Sequence, residues 1–544
     1  MLKRFFFLLL ILLASLSVSA ASYSGTLPVL HIQTENNAPI VSKDDYIPAT
    51  YYLDALNLAG YESIASAQAP LTMEIKGRGN YTWKDFDKKP YRIKLSDKQP
   101  LLGMKKSKHF ALLAHADDSK AFMRNAVGFE LGRLLNMAWI PVAKPVEVML
   151  NGEYIGLYFL TETIRVDKDR VNIVEQDDMI TDSEGITGGW LVEIDNYRDD
   201  PHVVIKEGDS RHTDMVFTYK TPEQLSNEQK EFLVAEMERI NQLVYGDKNS
   251  DELWQYLDID ALARFYIVQE VMDNYESFHG SCYLYREKGE GEKWHFGPVW
   301  DFGSSFNRDK QQLLFEGDVW HNHWIPEICK FPAFAQYVKT LWNPFYAGVF
   351  GNIYAYVEQQ QALIASAVQA DYQRWPQYGN KDFANRVKKV QERLQKNSAW
   401  LNTKWNTNAG NNPNEENKDL ALTAMCVWVN GQPVEYLVSQ VDSITFIQKE
   451  GIVVKAKVPA TWSDQIYVWI WGDGVSTNEF PAKKEGDWYV FAHDGSELNI
   501  IFKDGKGWKG APYQTEDIYT KQSACYIIAP NGENKAKVSA VDCQ

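Results

Sequence analysis

The stretch NTNAGNNPNEENKD, residues 407–420, constrains the fold more than any other, because apolar side chains nearly vanish from it. Such a segment buries nothing, so no single core runs through it and it reads as a linker. Ahead of it the chain mixes periods. LTMEIKG, YRIKL, HFALLA and PVEVML read as strands, whereas 119–136 and 226–245 repeat apolar residues at helical spacing. Behind it, short strand-like runs alternate with turns. The pattern predicts an α+β domain over 24–406, a β connector at 421–455 and an all-β sandwich module at 456–544. A length of 544 residues agrees, since single cores stop growing well short of that.

Residues 1–20, MLKRFFFLLLILLASLSVSA, place Lys3 and Arg4 before an apolar run that is too short to span a bilayer, then small residues up to Ala20. This reads as an export signal cleaved near Ala20, and the expectation is a secreted chain, periplasmic or extracellular, with no membrane span. Export permits disulfides, and Cys525 and Cys543 flank two strand-like runs around an Asn-Gly turn, so a bridge closing that hairpin is expected. Five Cys in all, without CxxC spacing, exclude a disulfide scaffold and a structural zinc site. The net charge of −16 argues against a general nucleic-acid binder, because phosphate neutralisation needs Lys and Arg in excess.

Chemistry-bearing residues concentrate in the larger domain. KGRGNYTW (76–83) sets two Gly around Arg78 after a strand, a loop whose backbone N–H groups can approach a phosphate. On the following strand, Arg92 and Lys94 alternate with apolar residues and share one face, so they either point into a cleft or decorate a solvated hairpin. In 117–135, Arg124 and Asn125 open a helix, and Glu130 is either a partner for a phosphate-binding Lys or a surface residue. A hairpin turning at Asn151-Gly152 ends on Glu162, a cleft carboxylate or the first exposed one.

The densest stretch is 262–306. LARFYIVQEVMD is helical and delivers Asp273 to a loop, and WHFGPVWDF is a strand that ends on Asp301. One Asp that orients a hydroxyl and a second, in an Asp-Phe-Gly triplet, that holds magnesium is the relation protein kinases use. A carboxylate pair of this kind also suits divalent cations generally, or a glycosidase groove, or is simply two loop residues.

The series KGRGNYTW…KKPYRIKL, LLGMKKSKHFALLAHADDSKAFMRN, VEVMLNGEYIGLYFLTETIRVDKDRVNI, GGWLVEID and GPVWDFGSSF resembles the CotH kinase family over about residues 28–400. The resemblance implies an atypical protein-kinase-like domain that binds ATP with Mg2+ or Mn2+ and phosphorylates Ser or Thr of a protein acceptor. Carried over residue by residue, Asp301 falls on the metal-binding Asp and Asp273 on the catalytic Asp, with Glu276 able to take that register. Arg78, Arg92, Lys94 and Glu162 fall on the nucleotide side. Where the family often has Asn before the YLY strand, this chain has Gly280-Ser281-Cys282. Ser281 is then the remaining metal ligand, which leaves a non-catalytic surface binder as the alternative.

IYVWIWGDG…DWYVFAHDGSELNIIFKDGKGWKGAPYQTEDI (466–518) resembles family-26 starch-binding modules. Alternation puts Tyr467, Trp469 and Trp471 on one strand face and Val468 and Ile470 on the other. The resemblance implies that these aromatics and Trp488 stack on an α-glucan or other polysaccharide, with Lys503 and Gln514 bonding sugar hydroxyls.

Overall fold

The computed structural model describes residues 22–116, 121–208, 214–307, 312–314, 323–378, 382–406, 424–429, 432–437, 451–472, 475–493, 495, 497–508, 513–530 and 535–543. The export signal expected at 1–20 and the linker expected at 407–420 lie outside the described residues. Two compact units divide the chain, Met1–Lys418 and Asp419–Gln544.

The first unit opens with a closed seven-stranded barrel. Its strands are β1 (Val29–Thr34), β2 (Ile47–Asp54), β3 (Leu71–Gly77), β4 (Tyr91–Gln99), β5 (Ser107–Leu113), β6 (Ala143–Leu150) and β7 (Glu153–Glu162), in the order β1-β2-β3-β4-β5-β7-β6. Neighbours are antiparallel except β1 and β6, whose parallel pairing closes the ring and leaves no open edge. Period-2 alternation sends Leu30, Ile32, Met73, Ile75, Ile93, Leu95, Phe110, Leu112, Val146, Val148, Tyr158 and Leu160 inward as the barrel core. The β6–β7 hairpin turns at Asn151 (φ 51°) and Gly152 (φ 81°), the positive-φ pair that tight hairpins need.

Helices follow and interleave. They are α1 (Tyr81–Asp85), α2 (Arg124–Leu134), α3 (Asn227–Val244), α4 (Ile259–Met272), α5 (Ile325–Ile328), α6 (Pro332–Pro344), α7 (Asn352–Arg374) and α8 (Phe383–Trp405). Helix α3 starts on a capping box in which Ser226 and Gln229 satisfy each other's backbone amides. A second, antiparallel sheet contains β8 (Trp190–Ile194), β9 (His202–Lys206), β10 (Asp214–Thr221), β11 (Cys282–Arg286) and β12 (His295–Phe296), in the order β12-β11-β8-β10-β9. Its apolar residues share one core with α2, α4 and α6–α8, and the outer barrel residues Ala111, Leu113 and Phe159 enter that core as well.

In the second unit, Ala424–Val429 and Gln432–Leu437 form a separate hairpin. Two further sheets, of five and four strands, share one core built from Ile452, Val454, Val468, Ile470, Tyr489, Ile500 and Phe502. The strand Ile452–Lys457 belongs to the five-stranded sheet, because its alternating Ile452, Val454 and Ala456 are buried in that core. It runs across the 455/456 boundary drawn from sequence. Cys525 and Cys543 are disulfide-bonded, tying Ala524–Ile528 to the terminal strand Val538–Val541. No helix among the described residues is long and apolar enough to cross a membrane.

Candidate functional site

The loop carrying Asp301 is clamped from two helices. Strand β12 ends at Phe296, so Asp301 stands beyond it on irregular backbone and not at the strand end that the sequence pattern suggested. From α2, Asn125 Oδ1 accepts the Phe302 amide at 2.9 Å, and the buried Arg124 guanidinium donates to the Ser305 carbonyl at 3.1 Å. Phe302 is buried against the same helix at Gly128, where a Cβ would come within 2.2 Å of its ring. Glycine is therefore required for this close approach rather than for backbone freedom. From the end of α4, the buried Asn274 donates to the Asp301 carbonyl at 3.1 Å and to Gln269 Oε1 at 2.9 Å, and Ser304 Oγ donates to Asn274 Oδ1. Glu130, further along α2, pairs with Arg133 at 2.8 Å.

Four non-glycine residues here adopt positive φ: Asp273 (φ 48°), Ser281 (φ 54°), Asp301 (φ 53°) and Phe306 (φ 60°). Each costs on the order of 1–3 kcal/mol, strain that persists only where surrounding contacts over-determine it. At Asp301 it turns the carboxylate to solvent, with Oδ1 accepting the Gly303 amide at 3.1 Å. At Asp273 it caps α4, with the Asp273 amide returned to the Gln269 and Glu270 carbonyls, and the side chain is only 1 % exposed.

Glu276 shares the electrostatic surroundings of Asp301. Burial raises the Glu276 pKa, and the charges of Asp301 and Asp195 raise it further, whereas a hydrogen bond from Tyr197 Oη opposes the rise. Burial likewise lifts Asp195 above the usual carboxylate range. Crowded carboxylates of this kind favour a cation among them. Among the described residues no three His, Cys, Asp or Glu converge closely enough to hold a metal on their own. That fits magnesium, which keeps waters and phosphate oxygens in its shell and takes one or two protein carboxylates. Ser281 lies just before β11, where Cys282 pairs with Ile194 in β8, the residue next to Asp195. Asp195 carries a signal the sequence reading passed over: in GGWLVEID, Glu193 and Asp195 alternate onto one strand face.

The barrel supplies the opposite charge. Arg78, at the end of β3, is half-buried over the Trp300 ring, 5.6 Å from its centroid. Burial disfavours its charged form and Asp301 is the largest charge countering that. Lys76 pairs in register with Arg92 across β3–β4, and Asp200 is the acidic residue common to the surroundings of both. Lys220, also missed by the sequence reading, bridges Glu193 (3.1 Å) and Asp200 (2.7 Å). Lys94 is exposed and pairs with Glu74 at 3.2 Å. Glu162 departs from its expected place. It stands across from Phe110, on the inner side of the barrel wall, with Oε2 accepting the Val142 amide at 3.0 Å, so it does not join Arg92 and Lys94. A glycosidase pair across a groove is not formed by Asp273 and Asp301 either, because Asp273 is buried.

In the second unit, Tyr467, Trp469 and Trp471 are half-buried on the outer face of strand Ile466–Gly472, and Val468 and Ile470 fill the core. Trp508, which the sequence reading missed, lies 5.2 Å from Trp469 and is 51 % exposed. Lys503 is fully buried, ion-paired with Glu479 and 4.3 Å from the Trp508 centroid, so its charge is already partnered within the module. Gln514 faces Lys503 in a β-bridge, its Oε1 buried. Trp488 belongs to the other sheet, under Lys457 at 4.9 Å, and does not extend the aromatic row.

A clamped acidic loop facing a cationic barrel wall is an arrangement suited to handling phosphate with a divalent cation. The profile of the CotH kinase protein family matches residues 75–401, and the chain belongs to that family. The family suggests a kinase-like phosphotransferase, and the matched span contains every residue of this cleft named above. No curated protein matches the chain.

Proposed function

We propose that the chain is an exported phosphotransferase that moves the terminal phosphoryl group of ATP to a Ser or Thr hydroxyl of a protein acceptor. The observation that carries the reading is the division of one cleft into a carboxylate side (Asp301, Glu276, Asp195) and a cationic side (Arg78, Lys76, Arg92). Asp301 would hold magnesium or manganese, with Ser281 as an auxiliary ligand, and the ion supplies neutralisation of charge on the phosphate oxygens. Arg78, Lys76 and Arg92 bind and orient the phosphates. Glu276 accepts the proton of the acceptor hydroxyl as its oxygen bonds to the γ-phosphorus and the bond to the β-phosphate oxygen breaks, releasing ADP. Asp273 shapes the loop as the cap of α4. Glu276→Gln is therefore expected to lower kcat by about 10²–10⁴ with little change in nucleotide affinity. Asp273→Asn should act chiefly on stability. Steady-state transfer rates and denaturation curves of the two variants check this, and a kcat loss confined to Asp273→Asn would return the role to Asp273.

The second unit reads as a β-sandwich that targets the protein to a polysaccharide. Trp508 supports this, being a large ring left half in solvent beside Trp469. Native electrophoresis through a starch gel should retard the full chain, and Trp508→Ala should abolish the retardation without altering phosphoryl transfer. Equal mobility with and without starch would remove the glycan reading.

A further inference from the structure

The turn that carries Glu276 and the loop that follows β8 are tied to each other. The His279 and Gly280 amides return to the Glu276 carbonyl at 3.0 and 3.3 Å, and the His279 carbonyl accepts the Asn196 amide at 3.0 Å. On its other flank the loop is fastened to β10, because Asn196 Oδ1 accepts the Val216 amide at 3.0 Å. Asp195 Oδ1 accepts the Tyr197 amide at 3.1 Å, a local side-chain turn that fixes the backbone where Tyr197 leaves it.

The Tyr197 ring is steered in turn by the residues below it. It lies against Gly280, where a Cβ would come within 2.9 Å of the ring, and it meets the His279 ring edge-on, at 5.4 Å between centroids and 84° between planes. The hydroxyl at its end donates to Glu276 Oε1. Among the described residues no second hydrogen bond and no ion pair reaches the Glu276 carboxylate, and the charges of Asp301 and Asp195 disfavour its ionised form. Glutamate is a rotamer-rich side chain, so a carboxylate in such surroundings keeps one direction only where an oxygen is held. Tyr197 holds Oε1 and leaves Oε2 available.

We propose that Tyr197 is a positioning residue for phosphoryl transfer, its hydroxyl fixing Glu276 Oε1 so that Oε2 meets the acceptor hydroxyl. This role rests on the reading of Glu276 as the base. In the step itself the acceptor proton passes to Oε2, the acceptor oxygen bonds to the γ-phosphorus, and the bond to the β-phosphate oxygen breaks as ADP leaves. The Tyr197 phenol keeps its own proton throughout.

The test is a double-mutant cycle of Tyr197→Phe with Glu276→Gln, read as steady-state transfer from ATP to an added Ser- and Thr-containing protein. Tyr197→Phe keeps the ring on Gly280 and removes only the hydroxyl. It is expected to lower kcat at least about tenfold, as a misdirected catalytic group does, with the KM for ATP within about twofold of wild type. In the Glu276→Gln background the same substitution should cost less than about twofold, because Tyr197 acts through the carboxylate. Gly280→Ala, whose Cβ would displace the ring, should lower kcat by a second route. Each variant is checked for an unchanged melting temperature. The proposal is overturned if Tyr197→Phe and Gly280→Ala both keep the wild-type kcat, or if Tyr197→Phe costs the same factor in both backgrounds, as a merely structural role would. A low kcat in Glu276→Gln beside a wild-type kcat in Tyr197→Phe strikes Tyr197 alone. A wild-type kcat in Glu276→Gln strikes the base, and the role of Tyr197 with it.

Discussion

Asp301→Asn is expected to reduce transfer of the ATP γ-phosphoryl group by at least about 10²–10³, the scale seen when one preorganised electrostatic contact to a transition state is removed. The Asn side chain keeps the shape and the bond to the Gly303 amide but loses the anionic charge that a divalent cation requires. Little should happen to the fold. The carboxylate is exposed, and the loop is held by its neighbours: the Phe302 amide on Asn125, the Asp301 carbonyl on Asn274 and the Ser305 carbonyl on Arg124. Stability should therefore stay within about 0.5 kcal/mol of wild type. Labelled-phosphate transfer to the protein itself or to an added Ser- and Thr-containing protein, alongside a denaturant titration, reads both quantities. Equal labelling by the two proteins would remove Asp301 from the metal role.

The largest effect on stability is expected at a buried ion pair, that of Lys88 with Asp371. Lys88 is 1 % exposed, and its ammonium donates to Asp371 Oδ1 at 2.5 Å and to the Leu157 carbonyl at 2.7 Å. Asp371 Oδ1 also accepts the Leu157 amide at 2.9 Å, so one carboxylate of α7 fastens β7 and the segment before β4 together. Gly156, at φ 114°, leaves room for it, since a Cβ there would come within 2.3 Å of Asp371 Oδ1. Asp371→Ala leaves an ammonium buried among the rings of Phe122 and Tyr158 without its counter-charge. A loss of about 3–5 kcal/mol is expected, as for other broken buried pairs. Lys88→Met combined with Asp371→Leu should recover part of it, because the uncompensated charge is then gone. Equilibrium unfolding of the three proteins measures the effect, and a single-variant loss below about 1 kcal/mol would contradict it.

Local periodicity made a good part of this architecture legible. LTMEIKG alternates and forms β3 over the same residues, and Asn151-Gly152 between alternating runs gives the β6–β7 hairpin. The helix read at 226–245 spans Asn227–Val244. Alternation tells which residues share a face but not which strands become neighbours, so closure of the barrel through β1 and β6 was not readable. The same gap explains Glu162: its neighbours suggested a strand end, but only the pairing with Phe110 shows that it stands on the inner side of the wall. Asp273 and Glu276 were both visible as loop carboxylates. The left-handed turn at Asp273 was not readable, since the surrounding packing decides that conformation and Asp merely tolerates it. Asp195, just after β8, and Lys220, in β10, are distant in sequence from the Asp301 loop, and they reach the cleft only when the second sheet assembles.

The central claim is that one cleft binds a nucleotide through a cation held at Asp301. It is tested most directly by the melting temperature of the full chain with ATP and magnesium together. The account predicts a rise that needs both components and is lost in Asp301→Asn, about 2.7 kcal/mol of stabilisation at ligand concentrations a hundredfold above Kd. A melting temperature unmoved by ATP with magnesium or manganese, in wild-type protein, would contradict it.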